Sequence, residues 1–232
     1  MISEIELKEN YEKVLENIKI HAGKVGRNPE EIKLVAVTKT QPTDVLRIAL
    51  NIGMRVFGEN YAQELRDKSR ELSDFNIEWH FIGRIQTNKL KYVVPVSRLI
   101  HSVYRIEEIV EIDKIAKKIG KVQDVLIEVN VSGEESKGGV KPEYVREIIL
   151  KAQEFSNVRV IGLMTMAPYM EPEETRKYFR LLRETRDNLK KEFPEVTELS
   201  MGMTNDYTVA IEEGSTIVRI GTAIFGERDK KG

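Results

Sequence analysis

Leu34-Val35-Ala36-Val37-Thr38-Lys39-Thr40-Gln41-Pro42 is the stretch on which the fold turns. Its first four residues are continuously apolar, as expected of a strand buried on both faces. Its end runs straight into a helix start at Pro42. No glycine-rich dinucleotide fingerprint follows the strand, so the commonest nucleotide-binding version of an alternating fold is not indicated.

Working outward, the same unit recurs. Short apolar runs appear at Leu34–Val37, Arg55–Phe57, Trp79–Ile82, Leu99–Val103, Val125–Val129, Val158–Met164, Glu198–Met201 and Ile217–Phe225. Helix-like periodicity fills Pro42–Asn51, Tyr61–Leu72, Ile106–Ile119, Glu143–Phe155 and Glu173–Phe193, with shorter helical stretches after Thr87 and Thr204. An additional helical stripe, Leu7, Tyr11, Val14, Leu15, Ile18, Ala22 and Val25, precedes the first strand. Eight strands separated by helices close most economically as a (β/α)8 TIM barrel, an α/β fold for which about 250 residues is typical. An open doubly wound sheet fits the spacing as well. No repeat, low-complexity tract or linker divides the chain, so a single domain over residues 1–232 is expected.

Composition narrows the function classes. The 232 residues carry 37 Lys+Arg against 38 Asp+Glu, a formal charge of −1, with three His and no Cys. Disulfide and thiolate chemistry are excluded, and there is no basic excess to serve as a nucleic-acid footprint. The charged fraction of 32% suits a heat-tolerant surface. No apolar run approaches the roughly 20 residues of a membrane span, and the acidic start does not resemble a secretory signal. These features lead us to expect a cytoplasmic protein without membrane or nucleic-acid partners.

In a barrel, polar residues just after each strand point into the catalytic mouth. Here they are Lys39, Gly58-Glu59-Asn60, His80, Asn130, Met164-Thr165-Met166, Ser200 and Arg219-Ile220-Gly221-Thr222. Ser200-Met201-Gly202 and Gly221-Thr222 follow strands seven and eight, where barrels most often hold a phosphate. A turn hydroxyl and a kink in the last strand account for them equally well. Lys39 at the rim is a nucleophile if burial and a nearby Arg219 depress its pKa, and otherwise one of many surface lysines. Arg219 inside the barrel would need an acceptor. His80 reads first as a hydrogen-bonded core residue, and no histidine spacing suggests a metal site.

These strings resemble the pyridoxal phosphate homeostasis proteins, single-domain relatives of the N-terminal barrel of alanine racemase. The resemblance runs through Leu34-Val35-Ala36-Val37-Thr38-Lys39, Gly58-Glu59-Asn60, Trp79-His80-Phe81-Ile82-Gly83, Gln86-Thr87-Asn88-Lys89, His101-Ser102-Val103, Glu128-Val129-Asn130-Val131, Ser136-Lys137, Gly162-Leu163-Met164, Leu199-Ser200-Met201-Gly202-Met203 and Arg219–Gly226. It implies that Lys39 carries pyridoxal 5′-phosphate as an internal aldimine and that Ser200, Gly221 and Thr222 hold the phosphate. It further implies that Arg219 faces the pyridine nitrogen and that Asn60, His80 and Met201 line the cofactor. Tyr104-Arg105 and Thr204 depart from the family pattern, the latter keeping the hydroxyl of the usual serine.

An arginine at the ring nitrogen leaves it unprotonated and weakens carbanion delocalisation. Racemisation also needs an acid and a base on opposite faces of the α-carbon. In alanine racemase a second domain supplies one of them, and the sequence ends at Gly232, soon after the eighth strand. The expectation is a monomeric carrier that buffers the cofactor and hands it to apo enzymes, with little or no catalysis. The alternatives are a pyridoxal phosphate-dependent amino-acid racemase and a cofactor-free barrel acting on sugar phosphates.

Overall fold

A computed structural model describes residues 2–227. The ends of the expected 1–232 domain, residue 1 and residues 228–232, lie outside the described residues. Eight parallel strands form a closed barrel in sequence order: β1 Lys33–Val37, β2 Val56–Glu59, β3 Glu78–Phe81, β4 Leu99–Val103, β5 Gln123–Glu128, β6 Val158–Met164, β7 Glu198–Ser200 and β8 Ile217–Ile220. Closure is made by β1 on β8, with Val35 opposite Arg219 and Ala36 opposite Ile220, which rules out the open sheet.

The helices are α1 Glu4–Lys24, α2 Thr43–Asn51, α3 Ala62–Glu71, α4 Leu90–Val93, α5 Ile106–Lys118, α6 Val145–Ala152, α7 Pro172–Lys190, α8 Tyr207–Glu212 and α9 Thr222–Phe225. The final apolar run is shorter as a strand than its composition suggests. β8 stops at Ile220, and after Gly221 the chain turns into α9, whose Ile224 and Phe225 are buried as helical residues. Hydrophobicity alone does not separate a buried strand from a buried helix, and the glycine marks the break.

Strand alternation sorts side chains into two cores. Val35, Leu99, Leu126, Met164 and Ile217 pack inside the barrel with Val56 and Ile161 beside them. The outward residues, among them Phe57, Phe81, Ile100, Ile127 and Leu199, join the helices in a much larger layer. The additional helix α1, capped by the Ser3 hydroxyl, lies over α8 and α9. It is tied there by Asn17 Nδ2 donating to the Tyr207 hydroxyl at 2.9 Å and Asn10 Nδ2 donating to the Ile224 carbonyl at 3.1 Å. It thus backs the two helices that follow β7 and β8.

Candidate functional site

Lys39 stands half-buried where β1 leaves the barrel. The loop that carries it is held from behind by charges buried between the sheet and α3. Lys68 Nζ donates to the Thr38 carbonyl at 2.7 Å, to Glu59 Oε1 at 2.7 Å and to Glu64 Oε2 at 2.9 Å. The Thr38 hydroxyl donates to the same Glu59 oxygen at 2.6 Å. Burial pushes the Glu59 carboxyl up to about 7 despite Lys68. Thr40, the next residue after the lysine, takes φ +64°, a left-handed conformation that is costly for a β-branched residue. Its N–H donates to Glu64 Oε2 at 2.9 Å, so the brace holds the strained turn as well as the strand end.

Arg219 points inward from β8 and is 3% exposed. Two of its hydrogen bonds are fixed, Nη1 donating to the Ser200 hydroxyl and Nη2 to the Thr165 carbonyl at 3.0 Å. Burial lowers its pKa to about 10, opposed by the charges of Asp206 and Glu128. Among the described residues it forms no ion pair. Five N–H donors on one guanidinium therefore leave capacity for a further acceptor.

Beside it, the loop after β7 meets the loop after β8. The Thr204 hydroxyl accepts from the Ala223 N–H at 3.2 Å, which brings Thr204 against the Gly221–Thr222 turn. Gly202 has φ +98°, and a Cβ there would lie 2.7 Å from Ala210 Cβ and 2.9 Å from Tyr207 Cα. A Cβ on Gly221 would press on Val37 at 3.3 Å, two residues before Lys39. Gly221, the exposed Thr222 and Thr204 thus come together in one turn beside the end of β1.

Three of the side chains expected to hold the cofactor are packed or hydrogen-bonded within the protein. The Ser200 hydroxyl is fully buried inside the barrel and engaged by His101 Nδ1 at 2.8 Å and by Arg219. Met201, one residue on, alternates outward and joins the sheet–helix core, fully buried. His80 faces inward but deeper, where it meets Glu78 and lines a cavity of 280 Å³ at the amino-terminal ends of the strands. Asn60 does reach the carboxy-terminal rim. It borders a 760 Å³ cleft with Tyr61, Arg84 and Lys89, and its Oδ1 is buried without a hydrogen-bond partner.

Across the mouth, Glu128, Tyr104, Arg84 and Lys137 line a further cavity of 300 Å³. Burial pushes the Glu128 carboxyl up to about 7 against the attraction of Arg219. Sequence spacing singled out Glu59 but neither its partner Lys68 nor the hydrogen-bonded His101 and Thr204.

The alanine racemase N-terminal domain family matches residues 10–229. A pyridoxal phosphate homeostasis protein of Aquifex aeolicus is 52% identical over 222 residues, covering 95% of this chain and 97% of the relative. Among solved structures, an unknown protein from Bifidobacterium adolescentis superposes with a TM-score of 0.89 at 35% identity, covering 97% of this chain and 98% of the other. PipY of Synechococcus elongatus, solved with PLP bound, gives 0.79 at 32% identity, covering 90% and 100%.

Proposed function

We propose, on the premise that the chain belongs to the family of pyridoxal phosphate homeostasis proteins, that it holds pyridoxal 5′-phosphate in the carboxy-terminal mouth of the barrel and buffers it for other proteins. The observation that carries this reading is Arg219, a cation 3% exposed, without an ion pair among the described residues and beside a glycine- and threonine-built cradle. An uncharged ring nitrogen is an acceptor such a guanidinium can satisfy. The cofactor supplies an aldehyde that combines with primary amines and a ring that withdraws electrons. Lys39 is the amine that holds it covalently. Thr204, Thr222 and the loop N–H group at Gly221 bind the phosphate. Asn60 completes the rim.

Arg219 donates to the ring nitrogen and cannot protonate it, which keeps electron withdrawal weak and favours storage over turnover. The proposal extends to a monomer working in the cytoplasm, with apo enzymes that need the cofactor as recipients, and to a single domain over 1–232. The racemase alternative draws on one observation, the Glu128 carboxyl raised to about 7 in the same cavity as Tyr104.

A visible absorption spectrum before and after borohydride, followed by peptide mass mapping, tests the reading. A yellow protein whose reduced adduct lies on Lys39, and a Lys39→Ala variant without colour, are expected. A colourless protein that takes up no added cofactor overturns it. Solvent deuterium entering the α-position of amino acids would replace the carrier with the racemase, and sedimentation at several concentrations tests the monomer.

A further inference from the structure

Inside the barrel a single file of polar groups connects the two ends. At the amino-terminal end Lys33 Nζ donates to Glu78 Oε1, which is also 2.8 Å from His80 Nε2. His80 Nδ1 is 2.7 Å from His101 Nε2, and His101 Nδ1 is 2.8 Å from the Ser200 hydroxyl. Ser200 accepts from Arg219 at the mouth. The file crosses from β3 to β4 to β7 to β8.

We infer that His80 and His101, with Ser200, form a one-way hydrogen-bonded string that fixes the Arg219 guanidinium from the opposite end of the barrel, so that Glu78 positions an arginine it never touches. The direction follows from counting protons. An ionised carboxylate only accepts, so His80 Nε2 carries a hydrogen. Uncharged His80 then has a bare Nδ1, which must accept from His101 Nε2. His101 Nδ1 is bare in turn, and Ser200 donates its only hydroxyl proton to it. The Ser200 lone pairs remain for Arg219, which has no acceptor and must donate. Built from the carboxylate end, the string runs from guanidinium to carboxylate with one proton in every link, and an arginine that can only donate fits its other end.

A second proton on His80 would reverse the string. His101 would then donate to Ser200, and the Ser200 proton would lose its acceptor in a fully buried place. The charged groups around the file are Glu30 and Glu31 ahead of β1, Lys33 on β1, Glu78 on β3, Arg98 before β4, Asp124 on β5, Glu198 on β7 and Arg219 on β8, with Glu128 and Asp206 near its mouth end. Burial lowers both imidazole pKa values, His101 well below the ordinary range, and the neighbouring cations lower them further. Burial and repulsion from Lys33, Arg98 and Arg219 outweigh the pull of Glu78, so both rings stay uncharged at neutral pH.

Arg219 has a task only on the reading proposed above, whereas the string does not depend on any ligand. Long-range nitrogen–proton correlation spectra of cofactor-free protein at pH 7 read the tautomers directly. Both His80 and His101 are expected as uncharged Nε2–H rings, with His21 outside the barrel as an internal reference. An Nδ1–H or doubly protonated ring at either position overturns the string. Glu78→Gln and Lys33→Met then perturb its far end, the second replacing a side chain that is 44% exposed with an apolar one of similar length so that folding is not at stake.

A shifted Arg219 Nε–H resonance in the cofactor-free variants is expected, together with a loss of pyridoxal 5′-phosphate retention of about threefold to thirtyfold, the size of coupling carried by such chains. Folded variants in which the Arg219 resonance does not move overturn the positioning role. A protein with the expected tautomers and the shifted resonance that takes up no cofactor would sink the cofactor reading and leave the string standing.

Discussion

Glu128→Gln should make the cofactor-free protein more stable, and by an amount that depends on pH. Glu128 sits at the mouth end of β5, 8% exposed, and among the described residues its carboxylate has no hydrogen-bonded partner. Its folded-state pKa is pushed from 4.5 up to about 7, chiefly by burial. Between those two values the native protein keeps a proton that the unfolded chain has released, so this group's contribution to stability falls as pH rises through the window. Above the window both states are ionised and the whole cost of a buried charge is present. At 1.36 kcal/mol per pH unit of separation, the cost is about 3 kcal/mol at pH 8 and about 1 kcal/mol at pH 5. The isosteric amide carries no such dependence.

Urea unfolding of the two proteins at pH 5 and pH 8 should therefore show their difference widening by about 2.5 kcal/mol in favour of the variant. The corresponding widening in Tm is about 5 to 10 °C for a chain of this size. Glu59, His80 and His101 titrate in both proteins and cancel from the comparison. Stability curves that stay parallel from pH 5 to pH 8 would refute the claim that Glu128 is held as a costly buried acid, and with it the acid–base candidacy of that side of the mouth.

Thr204→Val should weaken protection by inorganic phosphate in thermal unfolding by about tenfold to a hundredfold in affinity, the value of a hydrogen bond to a charged group, whereas Ser200→Ala should leave phosphate affinity unchanged. Gly202→Ala should cost about 2 kcal/mol or more in urea unfolding, because the added Cβ meets Ala210 and Tyr207 at under 3 Å in a left-handed backbone. Lys68→Met should destabilise by about 3–5 kcal/mol by leaving Glu59 buried without its partner, and Glu59→Gln in the same chain should restore much of the loss.

The fold was readable because a strand covered on both faces is a continuous apolar run, and seven of the eight runs match strands within about two residues at each end. The eighth overran because Ile224 and Phe225 are as apolar in a helix as they would be in a strand. Position alone put Lys39, Arg219 and Gly221 among the candidates near the ends of β1 and β8, beside plainer structural readings, and the family resemblance gave them their expected cofactor roles. What stayed hidden depends on register between strands far apart in sequence. His101 meets Ser200 across 99 residues, and nothing in His101-Ser102-Val103 announces that contact. The inward bonding of Ser200 and the outward packing of Met201 stayed hidden for the same reason. A strand's alternation gives which residues share a face, but only closure of the barrel says which face is occupied by an arginine. Thr204 left a signal in its retained hydroxyl, whereas the Lys68 brace left none, because a helix lysine is ordinarily solvated.

Why a barrel should spend its interior on an arginine, two histidines and a glutamate follows from where its stability resides. The inner apolar cluster holds few side chains, Val35, Leu99, Leu126, Met164 and Ile217 at its centre, whereas the layer between sheet and helices holds most of the buried core. Apolar burial scales with the area removed from water, so the outer layer secures the fold and leaves the inside free for polar groups, provided each is satisfied. Satisfaction is what the string supplies. Arg219, Ser200, His101, His80 and Glu78 are each bonded to the next, and a guanidinium at one end faces a carboxylate at the other with neutral rings between. Breaking one link therefore leaves a buried donor or acceptor without a partner while the outer core stays intact, so damage inside this barrel should appear at Arg219 before it appears in the fold.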